Sequence, residues 1–377
     1  MIQRVNANLV KEIEKFGKGT WNECFHCGNC TATCPLTEQG SLFPRKPYRA
    51  MQMGLKTTLA QSTEPWLCYY CGDCSQSCPR DANPGETMMI LRRYLTTVYD
   101  WTGISKLIYK SKAMELIAIF IIAIITAVLY LHYTIAPSNV AGSLIGKDGG
   151  VLINSMANSE IIHVGDWIMA GILAFLLITN VFNMWYKIIL SDKSVKVPFG
   201  QYFLQVFSVV TNFLTQKRFN KCDGPKYYWF IHLFLMLSYV MLFTMIVFFL
   251  AWFQTDTVYD WWHPQRLLGY IATIGLFVGV IYFINNRLKK MKENSKYSHY
   301  TDWTFLVLLL LTTTTGILMH FFRIYGMVAA TYFTYLIHLM VLVPMLVIEV
   351  PFSKWSHLAY RPVAVYFAKV KNAATKK

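Results

Sequence analysis

Acidic residues are scarce in this chain of 377 residues, which has 20 Asp and Glu against 35 Lys and Arg and a formal net charge of +15. Charged residues make up only 15% of the chain and hydrophobic residues 55%, which excludes an ordinary soluble enzyme. Residues 1–112 contain neither a glycine-rich phosphate-binding loop nor a nucleophile elbow. No nucleic-acid partner is expected. The first residues also lack the apolar core of a secretory signal, so we expect this segment to stay in the cytoplasm.

Long apolar runs are confined to the later part of the chain. A helix needs about 20 predominantly apolar residues to cross a bilayer. Six runs of about that length cover 114–135, 164–186, 227–253, 267–284, 303–322 and 328–351. The stretches 45–60 and 86–99 in the polar part also have helical patterns. We therefore predict an all-α protein, with a helical, two-cluster ferredoxin-like head at 1–105 and a six-helix transmembrane bundle at 106–377.

The distribution of Lys and Arg predicts how the bundle is oriented. The connections at 187–226 and 286–302 and the tail after residue 352 together carry 18 of them, whereas the opposite loops carry only Lys147, Arg266 and Arg323. By the positive-inside rule, the 18 cations lie in the cytoplasm. The head and both termini are then cytoplasmic, and the chain is predicted to be a multi-pass protein of the cytoplasmic membrane. Contact of these cations with acidic lipid follows.

The uncharged segment at about 197–216 is not counted among the spans. It contains several Gln, Asn, Ser and Thr residues, while apolar residues recur at helical spacing from Phe203 to Phe213. This pattern predicts a helix that lies in the cytoplasmic membrane interface. A seventh span is the alternative, and it would invert every later loop and remove the charge bias.

Eight of the nine cysteines lie in two copies of one motif. The copies are Cys24-x2-Cys27-x2-Cys30-x3-Cys34-Pro35 and Cys68-x2-Cys71-x2-Cys74-x3-Cys78-Pro79. A reducing cytoplasm argues against disulfides, and the ninth cysteine, Cys222, is given no role. Gaps of two residues present three thiolates to one 4Fe-4S cluster, and in two-cluster proteins the cysteine before proline serves the other cluster.

The motifs therefore predict two 4Fe-4S clusters with crossed ligands. Cluster 1 is assigned to Cys24, Cys27, Cys30 and Cys78, and cluster 2 to Cys68, Cys71, Cys74 and Cys34. A pair of zinc sites is the alternative, because zinc also binds Cys-x2-Cys knuckles. Zinc would need neither the third cysteine at the same step nor the Cys-Pro ending.

Histidine is costly in lipid, so each histidine inside a span needs a reason. Depth along the spans pairs His232 with His357 near the cytoplasm, and His320 with His338 near the outer face. Such pairs from facing helices hold b-type haem through both axial positions, so we predict two haems b. His163 stays open, since it could replace one of these ligands or help to bind a quinone.

Charged residues near the histidines have two interpretations each. Arg323, Arg361 and Lys354 could pair with haem propionates or be ordinary interfacial cations. Asp166 and Glu349 are the acidic residues nearest the apolar core. They could transfer protons during quinone chemistry, or serve as caps or polar pairs inside the bundle.

Residues 20–100 resemble the two-cluster C subunit of heterodisulfide reductase. Residues 110–370 resemble its cytochrome b subunit and, more distantly, the gamma subunit of respiratory nitrate reductase, through YYWFIHLFLMLSY, TGILMHFFR and LIHLMVLVPMLVIEVPFSKWSHLAYRP. The fusion of these modules resembles the C subunits of quinone-interacting membrane-bound oxidoreductases. In one respect the chain departs from the nitrate reductase subunit, which has two histidines ten residues apart on one helix. Here the position ten beyond His232 is Leu242.

The resemblance implies two b haems, a menaquinone site in the membrane, and soluble flavin and iron–sulfur partner subunits. It also implies electron transfer between menaquinol and adenylylsulfate reductase in dissimilatory sulfur metabolism. We therefore expect the membrane subunit of a quinone-linked oxidoreductase, carrying electrons between menaquinone, the haems, the clusters and those partners. One alternative is a subunit of a heterodisulfide-reductase-type complex. The other is an anchor or ion-translocating module whose quinone is reduced directly by the clusters.

Overall fold

The computed structural model describes residues 4–37, 43–134, 144–221, 226–290 and 292–375, so Cys222 lies outside the described residues. Throughout these ranges the regular structure is helical, and the one bridge between extended residues joins Ile145 to Val151. The predicted all-α class is therefore confirmed.

The head consists of short helices around one longer helix. Its α-helices are Leu9–Glu14, Asn29–Thr33, Arg45–Gln52, Lys56–Ala60, Glu64–Leu67, Asp73–Gln76, Pro84–Tyr99 and Ile104–Lys110. The stretch predicted as helical at 45–60 is two helices, because Gly54 between them has a φ of +71°. Pro84–Tyr99, the long head helix, begins where Asn83 accepts a hydrogen bond from the Glu86 backbone N–H at 3.2 Å. Its buried face and the first helix share one hydrophobic core.

Six helices among the described residues are long and apolar enough to cross a membrane. Spans 1 to 6 are Lys112–Tyr133, Ser159–Leu190, Lys226–Phe253, Pro264–Lys289, Tyr300–Ile324 and Val328–Phe352. Each predicted span coincides with one of them, which confirms the six-helix membrane domain. Many of their apolar side chains are exposed, such as Phe120 and Ile178 at 66% each. A lipid environment accounts for such a surface.

The uncharged segment forms a separate helix of 17 residues, Phe199–Thr215, which we call the interface helix. Phe199, Phe203 and Phe207 on it are 66–78% exposed, whereas Asn212 is buried. The helix is shorter than the roughly 20 residues that a span needs, and it is not one of the six spans. The predicted helix is confirmed, and its place in the membrane interface stays a prediction.

The C-terminal helix, His357–Thr375, joins the head to the bundle. Tyr360 in its first turn is fully buried against Trp66 and Tyr99 of the head, with ring centroids 5.1 and 5.8 Å apart. From span 2, Asn183 Nδ2 donates a hydrogen bond to the Tyr99 carbonyl oxygen at 2.7 Å. Because aromatic rings from both parts share one core, the head is held against the bundle.

A buried acid also holds the head to the bundle. The carboxylate of Asp302, at the start of span 5, lies 3.8 Å from Arg93 of the long head helix and 3.5 Å from Arg287 of span 4. It also pairs with Lys354, beyond span 6. Only 3% of the Asp302 side chain is exposed. One carboxylate therefore connects three cations from separate parts of the chain.

Candidate redox site

The two cysteine motifs have the same backbone conformation at matching positions. His26 and Tyr70, each just before the second cysteine, have φ angles of +57° and +56°. Gly28 and Gly72, each just after it, have φ angles of +88° and +98° and precede a short helix. Glycine adopts such angles without strain, and a Cβ at Gly72 would also lie 2.5 Å from Glu293 Cβ. The repeated spacing thus corresponds to a repeated local fold.

The cysteines line two small cavities in the crossed arrangement that the spacing predicts. One cavity is lined by Cys24, Cys27, Cys30 and Cys78, and the other by Cys34, Cys68, Cys71 and Cys74. Within the described ranges, no three Cys, His, Asp or Glu side chains converge as ligands of a single metal ion would. Each cavity is thus lined by the four cysteines that the spacing assigns to one cluster.

Burial raises the pKa of the Cys30 and Cys68 thiols and raises that of Cys34 to about 12. For Cys34, the neighbouring thiols of Cys68 and Cys71 act in the same direction. A thiol in such surroundings loses its proton when a metal supplies the compensating positive charge. The cysteines are thus suited to bind iron.

The two cavities differ in exposure. Cys68 and Cys74, assigned to cluster 2, are 7–8% exposed, and Tyr70 beside them donates a hydrogen bond to the Glu293 carbonyl oxygen at 3.4 Å. Cys27, assigned to cluster 1, is exposed, and the adjacent Phe25 is 71% exposed. Cluster 2 would therefore face the bundle, and cluster 1 would face away from it.

A cavity of about 220 Å³ lies between the head and the bundle, and we call it the head-side cavity. His232 of span 3 and His357, the first residue of the C-terminal helix, both line it. Tyr69 of the second cysteine motif, Arg92 of the long head helix and Arg361 complete its head end. The structure thus brings the predicted pair of histidines together at one cavity, which Tyr69 of the second cysteine motif also lines.

Each of these histidines has one ring nitrogen held by the protein. His232 Nδ1 lies 2.8 Å from Gln216 Oε1, and His357 Nδ1 lies 2.7 Å from the Lys354 carbonyl oxygen. A carbonyl oxygen accepts, so Nδ1 carries the proton and Nε2 keeps its lone pair. Burial, followed by the charge of Arg361, holds the pKa of His357 well below its ordinary value. A neutral imidazole oriented through its other nitrogen is prepared to bind haem iron.

Two arginines at the head end share one backbone oxygen. Arg92 and Arg361 both donate to the Cys68 carbonyl oxygen, Arg361 at 3.1 Å. Arg92 Nε also donates to the Pro65 carbonyl oxygen at 2.5 Å, and the Arg361 guanidinium lies 4.7 Å from the centre of the Tyr69 ring. Burial, and next the charge of Arg361, lowers the pKa of Arg92 to about 9. Cys68 and Tyr69 beside it act in the opposite direction and offset this lowering of the pKa only in part.

Aromatic rings connect the second cysteine motif with His232. Tyr69, which directly follows Cys68, stacks on Phe219 with ring centroids 4.8 Å apart and an interplanar angle of 6°. Phe219 then meets the His232 ring edge-on at 5.6 Å. A cluster ligand and a candidate haem ligand are thus joined by van der Waals contacts.

A second cavity, of about 270 Å³, lies among the spans and is lined by both His320 and His338. We call it the far-side cavity. It shares Tyr239, Leu276 and Leu309 with the wall of the head-side cavity. The two predicted haem sites are therefore neighbours across a thin wall.

The two histidines of the far-side cavity differ in their hydrogen bonds. His338 Nδ1 lies 2.9 Å from Thr315 Oγ1, and a Cβ at Gly316 would lie 3.3 Å from the His338 ring. His320, by contrast, has its Nε2 2.8 Å from Tyr270 Oη. Iron ligation through that nitrogen would require the tyrosine to move. Leu242 also lines this cavity, so the departure from the nitrate reductase pattern falls at the predicted outer haem site.

Of the predicted polar residues near the far-side cavity, two line it and one does not. Asp166 and Arg323 line it, and Asp166 Oδ2 is buried without a hydrogen-bond partner among the described residues. Arg323 donates to backbone oxygens, including that of Thr257 at 3.3 Å. His163 is not part of the described cavity wall, and its Nε2 accepts a hydrogen bond from Trp167 Nε1 at 2.9 Å.

Glu349 lines neither cavity. It is fully buried near the end of span 6, beside the equally buried Glu115 of span 1. The Glu115 carboxylate accepts hydrogen bonds from Thr304 at 2.9 Å and Ser353 at 3.2 Å. Glu115 was not identified from the sequence, because an acid in the first turn of a helix is also what a capping position looks like.

Three residues of the head-side cavity were also missed by reasoning from the sequence. Gln216 and Phe219 lie in the connection between spans 2 and 3, where no local pattern indicates a contact with His232. Arg92 had one usable signal, since it and Arg93 are adjacent arginines on a helix whose other residues are mostly buried. Arginine in such surroundings requires a partner.

Part of the chain matches a known protein family. Residues 20–82 match the family model described as a 4Fe-4S dicluster domain, and this range contains all eight motif cysteines. No curated protein matches the chain, and no solved structure does. The chain is therefore a multi-pass membrane protein with a ferredoxin-like 4Fe-4S domain at its N-terminus, which supports a role in electron transfer.

Proposed function

We propose that this chain is the membrane subunit of a quinone-linked oxidoreductase, carrying electrons between menaquinone and soluble flavin and iron–sulfur partner subunits. Following the resemblance, adenylylsulfate reductase is the proposed soluble end of the pathway. Two haems b and two 4Fe-4S clusters supply one-electron chemistry when bound. His232 and His357 would hold one haem, and His320 and His338 the other.

The observation that carries this proposal is the head-side cavity. Its two histidines have Nδ1 bound to oxygen and Nε2 left with a lone pair. The cavity also touches the second cysteine motif through Tyr69. A head that served only soluble partners would need no such pair of histidines beneath its clusters.

The positions of the sites suggest the order in which electrons pass. The far-side cavity adjoins the head-side cavity, which Tyr69 of the second cysteine motif also lines. Cluster 1 would lie at the exposed Cys27, where a soluble partner could reach it. The lysines and arginines in the connections after spans 2 and 4 and in the tail favour a cytoplasmic head. The partner subunits would then bind on the cytoplasmic side.

Proton transfer for the quinone is assigned to the acids of the bundle. Asp166 has an oxygen without a partner among the described residues at the far-side cavity, which makes it the first candidate. His163, three residues earlier on span 2, stays a candidate for quinone binding, and Glu349 with Glu115 for proton storage.

The Glu115 and Glu349 pair also favours a second function. Two buried carboxyl groups from different spans are a feature of ion and proton pathways in membrane proteins. In this alternative the bundle is an anchor or ion-translocating module, and the clusters reduce the quinone directly.

Quinol-driven reduction of the clusters distinguishes the two functions. The chain would be purified with its partners and mixed with a menaquinol analogue. Rapid-freeze EPR would then follow reduction of the clusters. We expect His338→Ala and His357→Ala to abolish rapid cluster reduction, while the exposed His132→Ala leaves it intact. If the clusters of both His338→Ala and His357→Ala were reduced at the wild-type rate, electron transfer through the two histidine sites would be contradicted. Dithionite reduction of every variant controls for intact clusters.

A further inference from the structure

The head-side cavity holds more positive charge than the described residues around it compensate. Asp302 pairs with three of the cations on its wall, Arg93, Arg287 and Lys354. Arg92 and Arg361 instead bind the Cys68 carbonyl oxygen, and no carboxylate of the described chain lies within ion-pair distance of either. Cluster 2, bound at Cys68, would compensate part of this charge from the head side, and the side of the two arginines that faces the cavity would still lack an anion.

Both arginines keep donors to offer such an anion. A guanidinium has five N–H donors. Arg92 uses three, on the oxygens of Pro65 and Cys68 and the sulfur of Met89, so two remain. Arg361 Nε is buried without a partner among the described residues. Because both side chains line the cavity, an anion inside it can reach them.

We propose that Arg92 of the iron–sulfur head, together with Arg361, binds the propionates of the haem held by His232 and His357. This inference rests on the proposed function. Haem carries two carboxylates at one edge and is apolar elsewhere, and the cavity has the same division. Its arginines lie at the head end, while Leu235, Leu276 and Leu309 line the part within the bundle. Arginine binds carboxylates by paired hydrogen bonds.

The head would therefore complete a cofactor site of the membrane domain. Arg92 comes from the long head helix, Arg361 from the C-terminal helix and His232 from span 3, so three parts of the chain enclose one haem. Positive charge near a haem favours its reduced form, which carries one positive charge less. Loss of Arg92 should therefore lower the midpoint potential of this haem.

The test compares haem with its dimethyl ester, whose propionates carry no charge. Full-length protein with its clusters but without haem would be titrated in detergent with each compound, as wild type, Arg92→Gln and Arg92→Lys. We expect Arg92→Gln to bind haem about 10- to 100-fold more weakly than wild type, since a hydrogen bond to a charged group is lost. The ester should bind wild type and Arg92→Gln alike. Arg49→Gln, an exposed arginine of the head, is the matched control.

An optical redox titration gives a second readout. The potential of this haem should fall in Arg92→Gln and return towards wild type in Arg92→Lys, which keeps the charge. Arg92→Gln with wild-type affinity and potential would overturn the proposal, and so would a weakening equal for haem and ester. The latter result would mean that Arg92 only fixes the loop of Cys68.

Two further outcomes are decided by the same material. If Arg92→Gln lost its clusters, Arg92→Lys would be used in its place. A preference for haem over the ester that is smaller in Arg92→Lys than in wild type would support the proposal. An equal preference would contradict it. Wild type that bound no haem at His232 and His357 would contradict the proposed function itself. Equal affinity for haem in wild type and Arg92→Gln would contradict only the inference.

Discussion

The Nδ1 hydrogen bonds of His232 and His357 decide what these side chains can do. A histidine that donates from Nδ1 to an oxygen presents Nε2 in a fixed direction, and partners of this kind raise the affinity of metal ligands. For His357 the partner is a backbone oxygen, which substitution cannot remove. For His232 it is the side chain of Gln216, which can be tested.

Gln216→Leu should weaken haem binding at the head-side cavity by about 10- to 100-fold, the usual effect of losing such an outer partner. His232 would stay on span 3, but no hydrogen bond to Gln216 would fix the orientation of its ring. Haem retained after gel filtration, measured by pyridine haemochrome, reports the change. Gln201→Leu, on the interface helix that ends just before Gln216, is the control. Full haem retention in Gln216→Leu would show that Gln216 does not support a ligand.

The crossed ligands make a prediction that differs from grouping the cysteines by their order along the chain. Cys78→Ser should destroy cluster 1, whose other ligands are Cys24, Cys27 and Cys30, and Cys34→Ser should destroy cluster 2. EPR of the reduced protein resolves the two signals, and each variant should lose a different one. If Cys34→Ser removed the same signal as Cys24→Ser, the ligands would not be crossed. Cys222→Ser should keep both signals.

How far the sequence predicted the site depends on the kind of residue. The cysteines were predicted with their crossing because their spacing is a chemical requirement of the cluster. The histidines were paired by depth, and the structure places each pair at one cavity. Arg92 and Gln216 were not found, because their roles depend on which helices meet, and no local pattern encodes that. The assignment of His320 stays a prediction, since its Nε2, one of the two nitrogens that can bind iron, is hydrogen-bonded to Tyr270.

Among the helices, those of the bundle were predicted most closely. All six spans appear at the expected places, because a long apolar run has few alternatives to a membrane helix. The head helices depended on weaker signals, and the stretch at 45–60 is divided by Gly54. The contact between the head and the bundle was beyond prediction, since it depends on single residues such as Asp302 and Tyr360.

Asp302→Asn should loosen the head from the bundle. The substitution leaves Arg93, Arg287 and Lys354 without their shared acid, and removing one partner of a buried ion pair costs about 3–5 kcal/mol. Hydrogen exchange at the junction should rise, with earlier thermal bleaching of the clusters. Glu12→Gln, which breaks the exposed pair with Lys56, should cost at most about 1 kcal/mol. Equal behaviour of the two variants would mean that Asp302 does not hold the junction.

At the scale of the whole molecule, the charge distribution and the position of the head agree on how the chain is oriented in the membrane. The head adjoins the side of the bundle that carries the long basic connections, so the clusters would be the cytoplasmic outlet of the membrane domain. The sequence predicted this orientation from charge alone. The structure adds that Tyr69, the neighbour of Cys68, lines the head-side cavity.

Orientation is tested by labelling in a Cys222→Ser background. Lys193→Cys, exposed in the connection after span 2, should react with a membrane-impermeant maleimide only in inverted vesicles. Lys147→Cys, exposed in the connection after span 1, should react in intact cells. The opposite pattern would place the head outside the cytoplasm.

The most direct test of the central claim is a haem count on the purified chain before and after removal of one head-side ligand. Pyridine haemochrome and optical spectra should show two haems b in the wild type, and His357→Ala should retain one while both 4Fe-4S EPR signals persist. Absence of haem b from the wild type, or an unchanged count in His357→Ala, would contradict the account.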